Sequence, residues 1–370
     1  MDSTSDIVVI GAGIVGCAVA YELARRGASV QVVDDRPAGM GATQAAAGVL
    51  APYIEARESG PLATLASRSL EMYDTFVARV TADSGVTVTY RRTGTLDVAL
   101  KDSELHRLEL AAGDLSRRGI VAELLDARAV CGAEPHLADP VGGLYIPSHG
   151  FVAAGELTQA LAVAARRHGA RIVDKSRVNR ISPAGRDLSV ETDRGTLTAG
   201  GVVVAAGSWS GQLRIDGVAR APIRPVRGQL LQLAWSGGPL RRVTWAERCY
   251  LVPWDDGTLL IGATVEEAGF DERTTVAGVR DLIEAACELV PHTRTAAFTS
   301  AKVGLRPASA DGLPVIGASS VLPTLMYATG HFRNGILLAP LTAQLVADAM
   351  LEGVTNPLLA LTSPQRFGGL

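Results

Sequence analysis

Hydrophobic positions near the amino end change their period at a cluster of glycines. Residues 6–10, DIVVI, form a short β-branched run that ends directly on Gly11, Ala12, Gly13, Ile14, Val15 and Gly16. Residues 17–26 then carry a helical pattern that stops at Gly27, and residues 28–33 predict a second strand closing on Asp34. Further helical periods mark 62–81, 103–118, 155–168, 275–290 and 336–351. The alternation turns to period two over 86–100. Short strands are predicted at 170–173, 178–181, 201–207 and 326–329, with a hairpin formed by 188–192 and 195–198. The run at 201–207 is β-branched and unbroken, as a central parallel strand buried on both faces would be. Between 223 and 264 the pattern is antiparallel, with strands at 229–233, 241–245, 249–253 and 258–263, which implies a second domain. Residues 132–150 are rich in proline and glycine, and 304–317 predict a loop-rich return.

The opening strand, glycine turn, helix, strand and terminal acid form a complete βαβ unit of the dinucleotide-binding kind. Gly11 permits the tight turn, Gly13 removes a Cβ that would obstruct a diphosphate, and Gly16 lets the helix approach the strand. The helix start offers free N–H groups and the positive end of its dipole to the diphosphate. Asp34 is suited to the ribose hydroxyls, and its charge disfavours a 2′-phosphate. The ligand is FAD or NAD rather than NADP. Residues 39–50 follow as a small-residue segment suited to close approach of a cofactor.

Composition narrows the function further. The net charge of -3 and the charged fraction of 20% carry neither a basic nucleic-acid footprint nor an acidic tail. Cys17, Cys131, Cys249 and Cys287 include no CxxC pair, which argues against a dithiol centre or a disulfide framework and favours a reducing compartment. The six histidines show no metal-ligand spacing, so no metal site is expected. The apolar run at 7–24 is interrupted by glycines and lacks a preceding basic residue. A cytoplasmic protein with no transmembrane segment is the expectation.

Blocks along almost the whole chain resemble the D-amino-acid oxidase superfamily, and within it the bacterial glycine oxidase, ThiO-type branch. They are the glycine turn, the AAAG core within 43–50, GFV at 150–152, VVVAAGSWSG at 202–211, PVRGQ at 225–229, CYLVP at 249–253, GAT at 262–264, GLRP at 304–307, DGLPVIG at 311–317 and GHFRNGILLAP at 330–340. The resemblance implies an α/β fold with a Rossmann-type FAD-binding domain and a second, largely antiparallel β substrate domain. On that reading residues 1–85, 150–220 and 305–370 make a discontinuous FAD-binding domain, and 86–149 with 221–304 the substrate domain.

The same resemblance implies roles residue by residue. Arg306 matches an arginine that grips the substrate carboxylate, Tyr250 a tyrosine that hydrogen-bonds it, and Arg333 a pocket arginine near substrate and flavin. Beyond the glycine turn and Asp34, the cofactor is expected at Thr43, Ala46, Ala47, Val178, Gly207, Trp209, Gly330, His331, Phe332, Arg333, Asn334, Gly335 and Ile336. Three pocket positions depart from the family pattern: Arg248 stands for a histidine, and Val49 and Val265 stand for methionines. Valine is shorter than methionine, so Val49 and Val265 predict a wider or reshaped pocket. The strand before GHFRNG holds Met326, Tyr327 and Ala328 and offers no cysteine for a covalent flavin link, so FAD is expected to be non-covalent.

The implied reaction is oxidation of glycine, sarcosine or a small D-amino acid to an imine by hydride transfer from the α-carbon to flavin N5, with O2 reduced to H2O2. The resemblance also implies a homo-oligomer, commonly a tetramer, and a link to thiamine biosynthesis. A D-amino-acid or N-substituted-glycine dehydrogenase passing electrons to a quinone is the enzyme alternative. A flavin-binding structural or interaction protein is the non-enzyme one.

Overall fold

The β-branched run at the amino end is strand β1 (Thr4–Ile10) in a computed structural model of the protein, which describes residues 4–55, 60–238 and 240–370. It passes through the glycine turn into helix α1 (Ile14–Arg25) and returns as β2 (Val30–Val33), parallel to β1. A one-turn helix α2 (Pro52–Glu55) and the long helix Pro61–Ser84 follow. Strand β3 (Gly195–Val204) lies on the other side of β1, also parallel, with Ile10 facing Val204.

The antiparallel region contributes β4 (Ile223–Ala234), β5 (Tyr250–Pro253), β6 (Thr258–Gly262) and β7 (Ala297–Ser309). The chain finishes with β8 (Leu325–Thr329), which pairs parallel with β3, and helix α3 (Gly335–Glu352). Strands therefore collect into one mainly parallel sheet around β1 and β3, one largely antiparallel sheet containing β7, β4, β6 and β5 in that order, and a small sheet of Val49–Leu50, Gly150–Val152 and Tyr90–Arg91.

Helices α1, Pro61–Ser84, Ala154–Arg167 and α3 bury their apolar faces together against the parallel sheet through residues such as Val19, Leu23, Leu65, Leu161 and Leu345. Such burial is worth about 1.5–3 kcal/mol for each large aliphatic side chain. The stretch Phe332–Glu352 is the one helix among the described residues long and apolar enough to cross a membrane, but 67% of its most apolar window is buried in this core.

Three expectations need correction. The loop predicted at 304–317 is largely strand: β7 runs without a break to Ser309, because every residue from Ile223 to Ala234 on β4 has a partner for it to pair with. The hairpin strand at 195–198 and the strand at 201–207 are one element, β3. It exchanges neighbours at Gly200 and Gly201, from Asp187–Thr192 to β8, while β1 pairs along both halves. Finally, the proline- and glycine-rich passage at 132–150 contains a strand, Gly142–Ile146, held between two neighbours.

The first turn is set by backbone against backbone. Gly11 has φ +108°, and a Cβ there would meet Ala205 O at 2.3 Å. A Cβ at Gly16 would meet Gly11 O at 1.8 Å. Gly16→Ala must therefore part α1 from β1, and we expect it to cost about 3 kcal/mol, at the upper end for overpacking. Gly132→Ala, which adds its methyl to open space on the helix Ala127–Ala133, should be neutral or stabilising by up to about 1 kcal/mol. Urea unfolding of the two variants beside the unmodified chain reads the difference, and equal midpoints for both would contradict it.

Candidate active site

The carboxyl ends of β1, β3 and β8 open onto a cavity of about 580 Å³ that extends to the face of the antiparallel sheet. At its nucleotide-like end, a Cβ on Gly13 would meet no protein atom nearer than Thr43 Oγ1 at 3.5 Å, so the turn presents bare backbone to the cavity. Thr43 Oγ1 accepts the Ile14 N–H at 3.1 Å, and Gly13 at the helix N-cap supplies no capping side chain. The first turn of α1 thus directs N–H groups and its dipole toward the opening.

Asp34 is held rigidly at the same end. One carboxylate oxygen accepts the Ala12 N–H at 2.6 Å and the other accepts the Arg36 N–H at 2.9 Å. Burial raises its pKa from the ordinary carboxylate value, and those two N–H groups work against the rise. Bare glycine backbone, a helix N-terminus and a fixed carboxylate fit the diphosphate and ribose of a dinucleotide.

Gly11, Ile14, Val15, Thr43, Ala46, Ala47, Val178, Gly207, Trp209, His331, Phe332, Arg333, Asn334, Gly335 and Ile336 line the cavity. Ala12, Gly16 and Gly330 do not. Ala12 acts through its N–H to Asp34, Gly16 through helix packing, and Gly330 by fitting its backbone against Ile223 and Val315. His331 is buried with its Nε2 3.0 Å from Thr342 Oγ1, and burial lowers its pKa to about 4, so it stays neutral. Phe332 takes φ +48°, a conformation costly for a bulky residue, at the turn that aims the start of α3 into the cavity.

The opposite end is built on the antiparallel sheet, and two glycines make it possible. Gly228 on β4 faces Gly304 on β7, and a Cβ on Gly228 would sit 2.3 Å from Arg306 Cζ. Gly262 on β6 pairs with Tyr250 on β5, and its Cβ would fall 2.2 Å from the tyrosine ring. Both side chains lie across glycine backbone, which explains the glycines of the PVRGQ and GAT blocks.

Arg306 Nη1 donates to Thr264 O at 2.8 Å, and among the described residues no carboxylate pairs with this guanidinium. Burial is the main cause that lowers its pKa, aided by the Arg333 charge. Burial likewise raises the pKa of Tyr250, against the pull of Arg306, so the phenol remains a proton donor at neutral pH. Arg333 differs, because its Nε lies 3.1 Å from Glu55 Oε2.

Glu55 is a cavity-lining carboxylate that sequence reading did not single out. Its place depends on α2, which is held where the Tyr53 N–H meets His149 Nε2 at 3.4 Å while His149 Nδ1 lies 2.8 Å from Thr95 Oγ1. Burial lowers the pKa of His149 to about 3, so the imidazole is neutral and accepts that N–H. No spacing in the sequence links residues 55, 149 and 95.

Of the three departures from the family pattern, only Val49 lines the cavity. Val265 is 58% exposed, in the segment that follows the end of β6. Arg248 also turns outward, where its Nη1 pairs with Glu288 at 2.8 Å. Neither lines the cavity, contrary to the expectation from the family pattern.

Comparison with known proteins agrees with this architecture. The family described as FAD dependent oxidoreductase matches residues 6–349. The glycine oxidase of Geobacillus kaustophilus is 34% identical over 353 residues, covering 93% of this chain and 92% of that protein. Its crystal structure superposes with a TM-score of 0.94 at 33% identity, over 98% of this chain and 99% of that one. The crystal structure of iminodiacetate oxidase from Chelativorans gives 0.89 at 27% identity, over 97% and 98% of the two chains. The bifunctional protein ThiO/ThiG of a Nostoc species is 34% identical over 96% of this chain, which spans about half, 54%, of that longer protein. With a dinucleotide turn, a pocket shared by two sheets and a family match across nearly all of its length, the chain belongs to the FAD-dependent oxidoreductase family.

Proposed function

We propose that the protein oxidises the carbon–nitrogen bond of a small amino acid or N-substituted glycine carrying one carboxylate, with glycine, sarcosine and short D-amino acids as the substrate class and O2 as the final acceptor. One observation carries this reading: Arg306 faces the cavity without a carboxylate partner among the described residues, beside the protonated phenol of Tyr250. A desolvated guanidinium favours a planar anion, and a carboxylate accepts from both donors. Arg333 is already paired with Glu55, so among the described residues at this end of the cavity Arg306 is the guanidinium left to pair with a substrate carboxylate.

Bound FAD supplies the acceptor for the hydride that leaves the α-carbon. The residues supply alignment. Arg306 and Tyr250 fix the carboxylate, which sets the α-carbon at a constant distance from the floor of the cavity. The start of α3, at Gly335 and Ile336, also lines the cavity, and its first N–H groups favour negative charge developing beside them. The substrate amine enters as the free base. Its lone pair assists C–H cleavage, so no protein base is required at the α-carbon. The imine formed is hydrolysed by water after release.

The test is anaerobic bleaching of the yellow protein by a series of amines, followed by oxygen uptake and peroxide assay in air. Glycine, sarcosine or a short D-amino acid should bleach it and yield one peroxide per oxygen consumed. Bleaching with no oxygen uptake would instead identify a quinone-linked dehydrogenase, and no bleaching by any amino acid would overturn the proposal.

Arg306→Leu should lower kcat/KM by roughly two orders of magnitude or more while FAD stays bound. A charge-assisted hydrogen bond is worth about 1.5–3 kcal/mol, and about 1.4 kcal/mol corresponds to each tenfold step. Rapid-mixing reduction and benzoate titration would measure both parts of the loss. Gly228→Ala tests the floor beneath the same guanidinium. Its methyl must push Arg306 from the cavity wall, so efficiency should fall about tenfold or more with FAD content unchanged, and wild-type kinetics would refute that account.

A further inference from the structure

Residues 263–275 leave the antiparallel sheet after β6 and reach the nucleotide end of the cavity before the helix Val276–Leu289 begins. The stem of this segment is fixed to β4. Glu266 accepts from Arg227 Nη2 at 2.6 Å and from Gln229 Nε2 at 2.7 Å, and Asp271 pairs with Arg227 Nη1 at 3.0 Å. Its tip crosses to the other sheet at two points. The two carboxylate oxygens of Glu272 take both terminal nitrogens of Arg36 at 2.8 Å each, a fork-on-fork pair. The ring of Phe270 lies 5.7 Å from that of Trp209, and the Arg36 guanidinium sits 4.5 Å over the same indole.

Arg36 and Trp209 line the cavity, whereas Phe270 and Glu272 do not. Arg36 follows Asp34 by two residues and donates its own N–H to that carboxylate, so the pair stands beside the site suited to ribose. The arrangement is a wall, Arg36 stacked on Trp209, supported from outside by a segment of the antiparallel half.

We propose that Glu272 and Phe270 form a clasp that retains FAD by holding Arg36 and Trp209 against the adenosine end of the site. Glu272 is a positioning residue: it acts on the cofactor through Arg36. An isolated, partly exposed ion pair does little, but this one is bidentate, and it orders a long side chain that also stacks on an aromatic ring. Release of the fork returns rotamer freedom to Arg36 and uncovers Trp209. The proposal rests on the FAD site and is independent of which amine is oxidised.

The experiment is reconstitution of apoprotein with FAD, with Kd read from quenching of flavin fluorescence and the dissociation rate from stopped flow. Glu272→Ala is expected to raise Kd about tenfold, mainly through faster dissociation. Glu272→Gln should move it in the same direction. Phe270→Ala should raise Kd about threefold. Glu267→Ala is the control: it removes the same charge from the same segment, but its partner is Arg224, and Kd should stay within twofold. Arg36→Ala combined with Glu272→Ala should bind no more weakly than the weaker single variant, since the pair acts as a unit. Unchanged or tighter FAD binding in Glu272→Ala, or strict additivity in the double variant, would overturn the clasp. Wild type that binds FAD but is bleached by no amine would sink the oxidase reading and leave this one standing.

Discussion

Backbone meets backbone where β1, α1 and β3 converge, and the cavity exists because they do. The Gly16 backbone leaves no room for a side chain against Gly11 O, and Gly11 leaves none against Ala205 O. At that separation α1 can point its N-terminus over the ends of β1 and β3, with the Gly11 N–H bonded to Val33 O and the Ala205 N–H to Ile10 O. The same three elements anchor the helical layer through α3, whose own N-terminus then enters the cavity from another side. Two helix starts converge on one opening, so a negatively charged ligand is favoured before any charged side chain contributes.

The substrate-like end uses a different device for a similar purpose. A sheet face ordinarily fills with side chains, but Gly228 and Gly262 leave two gaps into which Arg306 and Tyr250 fold. The guanidinium loses water in doing so, and its nearest compensations are carbonyl oxygens rather than a carboxylate. Such a cation is poorly satisfied by the protein alone, and an anion placed beside it would gain more than beside a guanidinium already paired. Arg333 carries the same formal charge in the same cavity but is answered by Glu55, so residue type alone would misstate how many cations the pocket offers.

Much of this protein was legible in one dimension. The change from a β-branched run to glycines to a helix determined the βαβ unit, because those periods and the need for φ > 0 at Gly11 are local properties. Asp34 was legible for the same reason, standing at the end of the next strand. The GLRP, CYLVP and GHFRNG blocks marked Arg306, Tyr250 and Arg333, which the structure gathers into one cavity. The sequence by itself also read helices such as Pro61–Ser84 and Val276–Leu289 to within a few residues from their apolar stripes.

What it could not decide were matters of pairing and direction. Residues 304–309 read as loop because glycine and proline interrupt them, yet each faces a residue of β4 across the sheet, and long-range pairing overrides local propensity. Val265 and Arg248 were expected in the pocket from their place in family blocks, but Val265 lies just past the end of β6 and Arg248 in the turn before β5, and the direction of a side chain outside a strand follows from no alternation along the chain. Glu55, carried by a one-turn helix resting on His149, and Glu272, reaching Arg36 from 236 positions away, leave no periodic trace at all. Local sequence determined the elements and the turn that needs glycine. The tertiary structure alone decided which charges meet, because an electrostatic partner is chosen by distance in space and not by spacing along the chain.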